Sequence, residues 1–218
     1  MKIIVCISSI ILAVILLFSC SKDSIRGNGN VITETRSLTA FSRVFTNSDI
    51  NVHIVYGTTQ KVTVKGYENL VAITNTSVNG NVLTIEYRNV YKVRNSNVEV
   101  FIEIPVLEET YLNGNGDIWI DGFNAGTNIF CRINGSGNTH LNNCSFINTE
   151  LSINGNGDIK AQGLSCQSAD LDITGSGDIE VSCSQFLNAR ISGSGDIKYW
   201  GNPGVTVNIS GTGTVRRQ

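Results

Sequence analysis

One short phrase, returning through the C-terminal half, constrains the fold more than any other feature. Its copies are Asn113-Gly114-Asn115-Gly116-Asp117-Ile118, Asn134-Gly135-Ser136-Gly137-Asn138-Thr139, Asn154-Gly155-Asn156-Gly157-Asp158-Ile159, Thr174-Gly175-Ser176-Gly177-Asp178-Ile179, Ser192-Gly193-Ser194-Gly195-Asp196-Ile197 and Ser210-Gly211-Thr212-Gly213-Thr214-Val215. The first glycines lie 21, 20, 20, 18 and 18 residues apart. A period near twenty is too long for one hairpin and too short for a βαβ unit, but it suits one coil of a β-solenoid. The sequence therefore predicts an all-β parallel β-helix with coils of about 20 residues.

The residues flanking each phrase give the register. Before it, alternate positions are small or aliphatic: Cys131 and Ile133, Leu151 and Ile153, Leu171 and Ile173, Ala189 and Ile191, Val207 and Ile209. After it, Ile118 and Ile120, Thr139 and Leu141, Ile159 and Ala161, Ile179 and Val181, and Ile197 and Tyr199 share one side of a period-two strand. The looser return segments carry Phe123, Phe146, Leu164 and Phe186, which are expected to close the third side. Stacked about 4.8 Å apart, the inward residues form aliphatic ladders that a single coil could not bury alone. An outward column then contains Trp119, His140, Lys160, Glu180, Lys198 and Arg216, with charge alternating over Lys160, Glu180 and Lys198.

The N-terminal half reads as a degenerate version of the same grammar. Gly27-Asn28-Gly29-Asn30-Val31 resembles the phrase, and Asn47-Ser48-Asp49-Ile50, followed by Val52 and Ile54, looks like a copy whose glycines have been replaced. Strands are predicted at 61–65, 82–87 and 98–104, a hairpin turn at Asn79-Gly80, and a short helical turn within 68–74. With 22 glycines, 2 prolines and no low-complexity linker, residues 27–218 are expected to form one domain. Degenerate coils would occupy 27–112 and regular repeats 113–218.

Residues 1–19 form a separate object. Lys2 precedes an apolar run of sixteen from Ile3 to Phe18, and Leu17-Phe18-Ser19-Cys20 follows, as in a lipoprotein signal peptide. Lipid is expected on Cys20, residues 20–26 would be a tether, and the protein would sit in the cell envelope as a surface-exposed outer-membrane lipoprotein. The mature thiols are then Cys131, Cys144, Cys166 and Cys183. Export permits disulfides, and buried free thiols fit the composition equally well. No C-x-x-C pair marks a zinc site.

The glycine phrase lacks the Lys-Ser/Thr of a phosphate loop and the third glycine of a dinucleotide loop. Its aspartate also sits one residue too early, and its period is too long, for the calcium-binding nonapeptide repeat. The reading favoured is structural: glycines take a tight corner, and Asp117, Asn138, Asp158, Asp178 and Asp196 cap it by accepting from backbone amides. The neutral Asn138 suits a cap better than a metal-binding carboxylate row. The only histidines, His53 and His140, lie in different halves and outside any nucleophile motif, and Asp172 with Arg190 reads as a surface ion pair. Sixteen basic residues against 18 acidic ones leave no excess to gather nucleic acid. Catalytic, metal and cofactor sites are therefore expected to be absent, and any ligand-binding residues stay unassigned.

The chain resembles the auto-transporter adhesin head, or GIN, domain found in exported proteins of Gram-negative bacteria. The likeness runs from Gly27 to the C-terminus and rests on Gly27-Asn28-Gly29-Asn30-Val31, the serial G-S/N-G-D-I copies, Ile104-Pro105, and the closing run from Gly193-Ser194-Gly195-Asp196-Ile197 to Lys198-Tyr199-Trp200-Gly201-Asn202-Pro203. The resemblance implies a right-handed parallel β-helix of pectin-lyase-like shape without that enzyme's catalytic residues, and trimeric assembly. It also implies a non-enzymatic role in adhesion, with a host or cell-surface protein or glycan as partner and the membrane engaged through the N-terminal lipid. Two other readings stand beside it: a carbohydrate-active β-helix enzyme, by analogy of fold, and an envelope assembly or stress protein that binds another envelope component.

Overall fold

The computed structural model describes residues 24–88, 90 and 92–218. The expected signal peptide at 1–19 and the expected lipid site Cys20 lie outside the described residues. Strands make up 67% of the described residues and helix 2%, arranged as a β-solenoid of about five turns with about 20 residues per turn.

Two parallel faces carry the regular coils. On the first, Glu109–Gly114 pairs with Gly126–Gly135, which pairs with Cys144–Gly155, and the ladder continues through Ile159–Gly175 and Ile179–Gly193 to Gly204–Gly211. On the second, Ile118–Asp121 pairs with Thr139–Asn142, and the equivalent residues of later coils follow up to Val215–Arg217. Like positions of the glycine phrase fall over one another: Gly135 opposes Gly155, which opposes Gly175, which opposes Gly193.

The glycines are required by this stacking. Gly155 has φ +145°, and a Cβ there would run into the carbonyl oxygen of Gly135 on the coil below. A Cβ on Gly157 would likewise meet the carbonyl of Gly137. The backbone of one corner thus rests on the backbone of the next, and only glycine leaves room.

The inward ladders are as expected through most of the rod. Ile133, Ile153, Ile173 and Ile191 form one, and Ile118, Thr139, Ile159, Ile179 and Ile197 another, all buried. Burying each aliphatic side chain contributes about 1.5–3 kcal/mol before ordering entropy is subtracted. Val207 and Ile209 depart from the expectation: they are 47% and 39% exposed, because among the described residues no coil lies above theirs. Phe123, Phe146 and Leu164 are buried on the third side, whereas Phe186 is 65% exposed.

The N-terminal half differs from a run of degenerate coils in two ways. Arg43–Thr46 and Asn51–Tyr56 do form a coil, but it lies between two segments that come later in the chain. Val44 pairs with Leu83 on one side and Thr110 on the other, and Val52 pairs with Val100 and Ile118. The coil Val82–Tyr87 with Glu99–Ile104 is therefore below it, and Glu109–Asp121 above. Beyond that lowest coil the pairing turns antiparallel: Lys61–Tyr67 runs against Glu99–Ile104 and Val31–Arg36, and Thr74–Asn79 against Val82–Tyr87. These strands cap the end of the rod, joined by the short helix Glu68–Val71. Gly80, at φ +61°, makes the hairpin turn.

The missing glycines at Asn47-Ser48-Asp49-Ile50 have a physical reason. The coil beneath has no equivalent tight corner, since after Tyr87 the chain leaves to pair Lys92–Arg94 with Ser24–Arg26. Residues 81–98, which make that coil, contain no glycine. By contrast, Gly114 and Gly116 sit against the carbonyls of Ser48 and Ile50 and need to be glycine. Gly27-Asn28-Gly29-Asn30, read as another copy, does not enter the turn column. Gly27 packs beside Asn95 and Tyr67, and Asn28 is held by the Asn69 side chain at 3.0 Å.

Candidate functional site

The intercalated coil creates a concavity on the third side. After Tyr56 the chain departs for the cap, and Pro105–Glu108 climbs past that level to begin the next coil. The third side is left without a regular return strand there, and Gly122–Ala125, which is not strand, closes the coil above. A cleft of about 780 Å³ results, lined by Tyr56, Val106, Phe123, Phe130 and Phe146, with Arg43, Glu108, Asn124, Thr127 and Asn128 among its polar residues.

Packing and polar contacts fix both parts of this lining. The ring of Phe123 meets that of Tyr56 edge-on, 6.0 Å between centroids, while Tyr56 and Val106 are 52% and 53% exposed. Gly126 admits the Phe146 ring, which a Cβ would strike. The carboxylate of Glu108 accepts from Ser42 Oγ at 2.7 Å and lies 3.6 Å from Arg43 Nε. A second cavity of about 430 Å³ adjoins along the same side, shares Gly126 and Phe146, and is lined by Ile147, Cys166, Gln167 and Ser184.

A different arrangement occupies the outward column after the glycine corner. The rings of Phe101 and His53 stack at 4.9 Å, His53 and Trp119 at 4.6 Å, and Trp119 and His140 at 5.5 Å, with interplanar angles of 11°, 9° and 5°. His53 Nε2 also lies 3.5 Å from Glu99 Oε1. Burial holds the His140 pKa below the ordinary histidine value, against the pull of Asp117. The two histidines, in separate halves of the sequence, thus share one ladder through Trp119. The intercalated coil brings them together, and local periodicity alone carries no sign of it. Each histidine ring faces the indole of Trp119, which lies between them. Further up the column Lys198 Nζ meets Glu180 Oε1 at 3.2 Å.

The aspartate column has a regular geometry. Asp117 Oδ1 accepts from the backbone N–H of Asn138 at 2.7 Å, Asn138 Oδ1 from Asp158, Asp158 Oδ1 from Asp178, Asp178 Oδ1 from Asp196, and Asp196 Oδ1 from Thr214. Each acceptor serves the corner of the following coil, not its own. The Thr214 hydroxyl and amide hold the Asp196 carboxyl below the usual carboxylate range. Among the described residues no group of three or more metal-ligating side chains gathers. Asp172 and Arg190 face each other on adjacent coils at 3.5 Å, both half exposed, and Asp170 Oδ1 accepts from Arg190 at 2.7 Å.

Cys131, Cys144, Cys166 and Cys183 are buried and free. Burial pushes the Cys131 thiol up to about 12 and raises Cys144 as well.

These features define a capped β-solenoid with a third-side cleft, its glycine corners stacked backbone on backbone. The chain belongs to the family described as "Putative auto-transporter adhesin, head GIN domain", which residues 40–203 match. The fold is shared with a crystal structure described as a "putative adhesin" from Bacteroides fragilis, with TM-score 0.71, 22% identity, and coverage of 89% of this chain and 100% of that one. A "putative lipid binding protein" from Parabacteroides distasonis aligns with TM-score 0.59 and 21% identity over 90% of this chain and 100% of its own. A "putative adhesin" from Parabacteroides merdae aligns with TM-score 0.55 and 22% identity, covering 90% and 99%. No curated protein sequence matches the chain.

Proposed function

We propose that the protein is an envelope lipoprotein, held in the membrane through lipid on Cys20, whose solenoid is a non-enzymatic binding head with its recognition site in the third-side cleft. The observation that carries this reading is the cleft lining: exposed Tyr56 and Val106 beside an aromatic floor, with the Glu108 carboxylate, Arg43 and neutral Asn and Thr side chains also present. Apolar surface with a few fixed polar groups is the composition of ligand sites, and about 780 Å³ lies within their usual range of about 300–1,000 Å³. A surface glycan fits this chemistry. Pyranose faces cover aromatic rings, while amides and carboxylates engage hydroxyl groups. Membership of an adhesin-head family supports binding over turnover.

The test is retention of the full chain on a glycan array, compared with Tyr56→Ala and Gly126→Ala. Wild type should be retained on a defined subset, with affinity falling about tenfold or more in each variant. No retention of wild type, or variants that bind equally, contradicts the reading. Anchoring is tested separately: Cys20→Ala should move the protein from membrane to soluble fractions, and an unchanged distribution contradicts lipid attachment there.

A further inference from the structure

We infer that Cys166 and Cys183 are a cross-coil dithiol site that closes to a disulfide, opening onto the smaller third-side cavity. The argument begins with register. Cys166 pairs directly with Cys183 on the next coil, and neighbouring strands lie about 4.7–4.9 Å apart, inside the span of about 4.4–6.8 Å between Cα atoms that a disulfide requires.

The sulfurs also reach toward one another. Cys166 Sγ contacts the carbonyl oxygen of Ser182 at 3.4 Å, on the strand of Cys183, while Cys183 Sγ contacts that of Gln167 at 3.3 Å, on the strand of Cys166. Each side chain crosses to its partner's coil. The pairing shifts register on both sides of this point, between Ala161 and Ser165 and between Cys166 and Ser168. Such irregularity gives the backbone local freedom to bring the sulfurs to bonding distance.

Access and reactivity distinguish this pair from the other two thiols. Cys166 lines the cavity of about 430 Å³, with Gln167 and Ser184 beside it. Contact between the two thiols, with the backbone amides beside Cys183, draws the Cys183 thiol down and pushes Cys166 up. Cys166 is the one of the two that lines the cavity, so it is the thiol that an oxidant in solution meets first.

The chemistry needs a disulfide oxidant, either a low-molecular-weight disulfide or the active-site disulfide of an oxidoreductase. Cys166 Sγ, its proton passing to Cys183, attacks one sulfur of the oxidant, whose S–S bond breaks, giving a mixed disulfide and a released thiolate. That thiolate takes the proton from Cys183. Cys183 Sγ then attacks Cys166 Sγ, and the second oxidant sulfur leaves as thiolate and is protonated from solvent. Two protein thiols have lost two electrons, and the oxidant has gained them.

The experiment treats the folded full chain with oxidised glutathione, alkylates the remaining thiols under denaturing conditions, and maps peptides by mass spectrometry. The expected result is a cross-linked peptide joining Cys166 to Cys183 with loss of two hydrogen masses, and with Cys131 and Cys144 alkylated. Full alkylation of Cys166 and Cys183, or a link from either to another cysteine, overturns the assignment. In Cys183→Ser a glutathione adduct should accumulate on Cys166, whereas Cys166→Ser should leave Cys183 largely unmodified. The reverse pattern overturns entry of the oxidant through the cavity.

Discussion

Asp158 Oδ1 accepts a hydrogen bond from the backbone N–H of Asp178 at 3.0 Å, and Asp178 repeats the contact to Asp196 at 2.8 Å. The column works as a staple between coils. Removing the side chain of Asp178 leaves a part-buried amide on Asp196 without its acceptor, at a cost of about 1–2 kcal/mol. Asp178→Ala should lower the unfolding free energy, read from chemical denaturation, by that amount, whereas Asp178→Asn, which keeps an oxygen there as Asn138 does naturally, should stay near wild type. Equal losses in both would show that charge, not acceptance, is what the column needs.

A buried hydroxyl offers the opposite prediction. Thr139 lies in a ladder between Ile118 and Ile159, fully buried, and its Oγ1 has no hydrogen-bond partner. An unsatisfied buried hydroxyl is costly, and valine has the same shape without it. Thr139→Val should raise stability by about 1 kcal/mol, seen as a higher Tm. A lower Tm would mean that the hydroxyl has a partner in solution.

The ring ladder predicts a pH response. Burial depresses the His140 pKa below its ordinary value of 6.5, with Asp117 and Asp158 opposing the shift and Lys160 adding to it. A depressed folded value means that the unfolded chain takes up the proton first. The stability gained from the neutral ring is therefore present above about pH 6.5 and is lost as pH falls through the lower folded value. Denaturation midpoints should decline less between about pH 7 and 5 in His140→Phe than in wild type. An identical decline would remove His140 as the source.

Much of the rod was legible because its rules are local. The glycine phrase marks each corner, and alternation around it separates Ile173 from Asp172 without reference to distant residues. The order of stacking was not legible. Nothing local in Arg43–Tyr56 says that Val82–Ile104 returns beneath it while Glu109–Asp121 lies above, because parallel pairing is set by which ladder closes best and not by sequence distance. The cleft follows from that order, so it was hidden as well. Gly27-Asn28-Gly29-Asn30 misled for a related reason: Gly and Asn suit many loops, and only a carbonyl pressing from the coil below distinguishes the solenoid corner. Phe186 carries the same apolar signal as Phe146, yet the shorter repeat shifts register beside it and leaves it facing solvent.

The account depends most on the intercalated coil, which sets the ladder, the histidine stack and the cleft together. Methyl NOEs in the folded protein test it directly. Val52 should show contacts to both Ile118 and Val100, the register partners on either side. Contacts from Val100 straight to Ile118, with Val52 touching Val100 alone, would place the coils in sequence order and contradict the account.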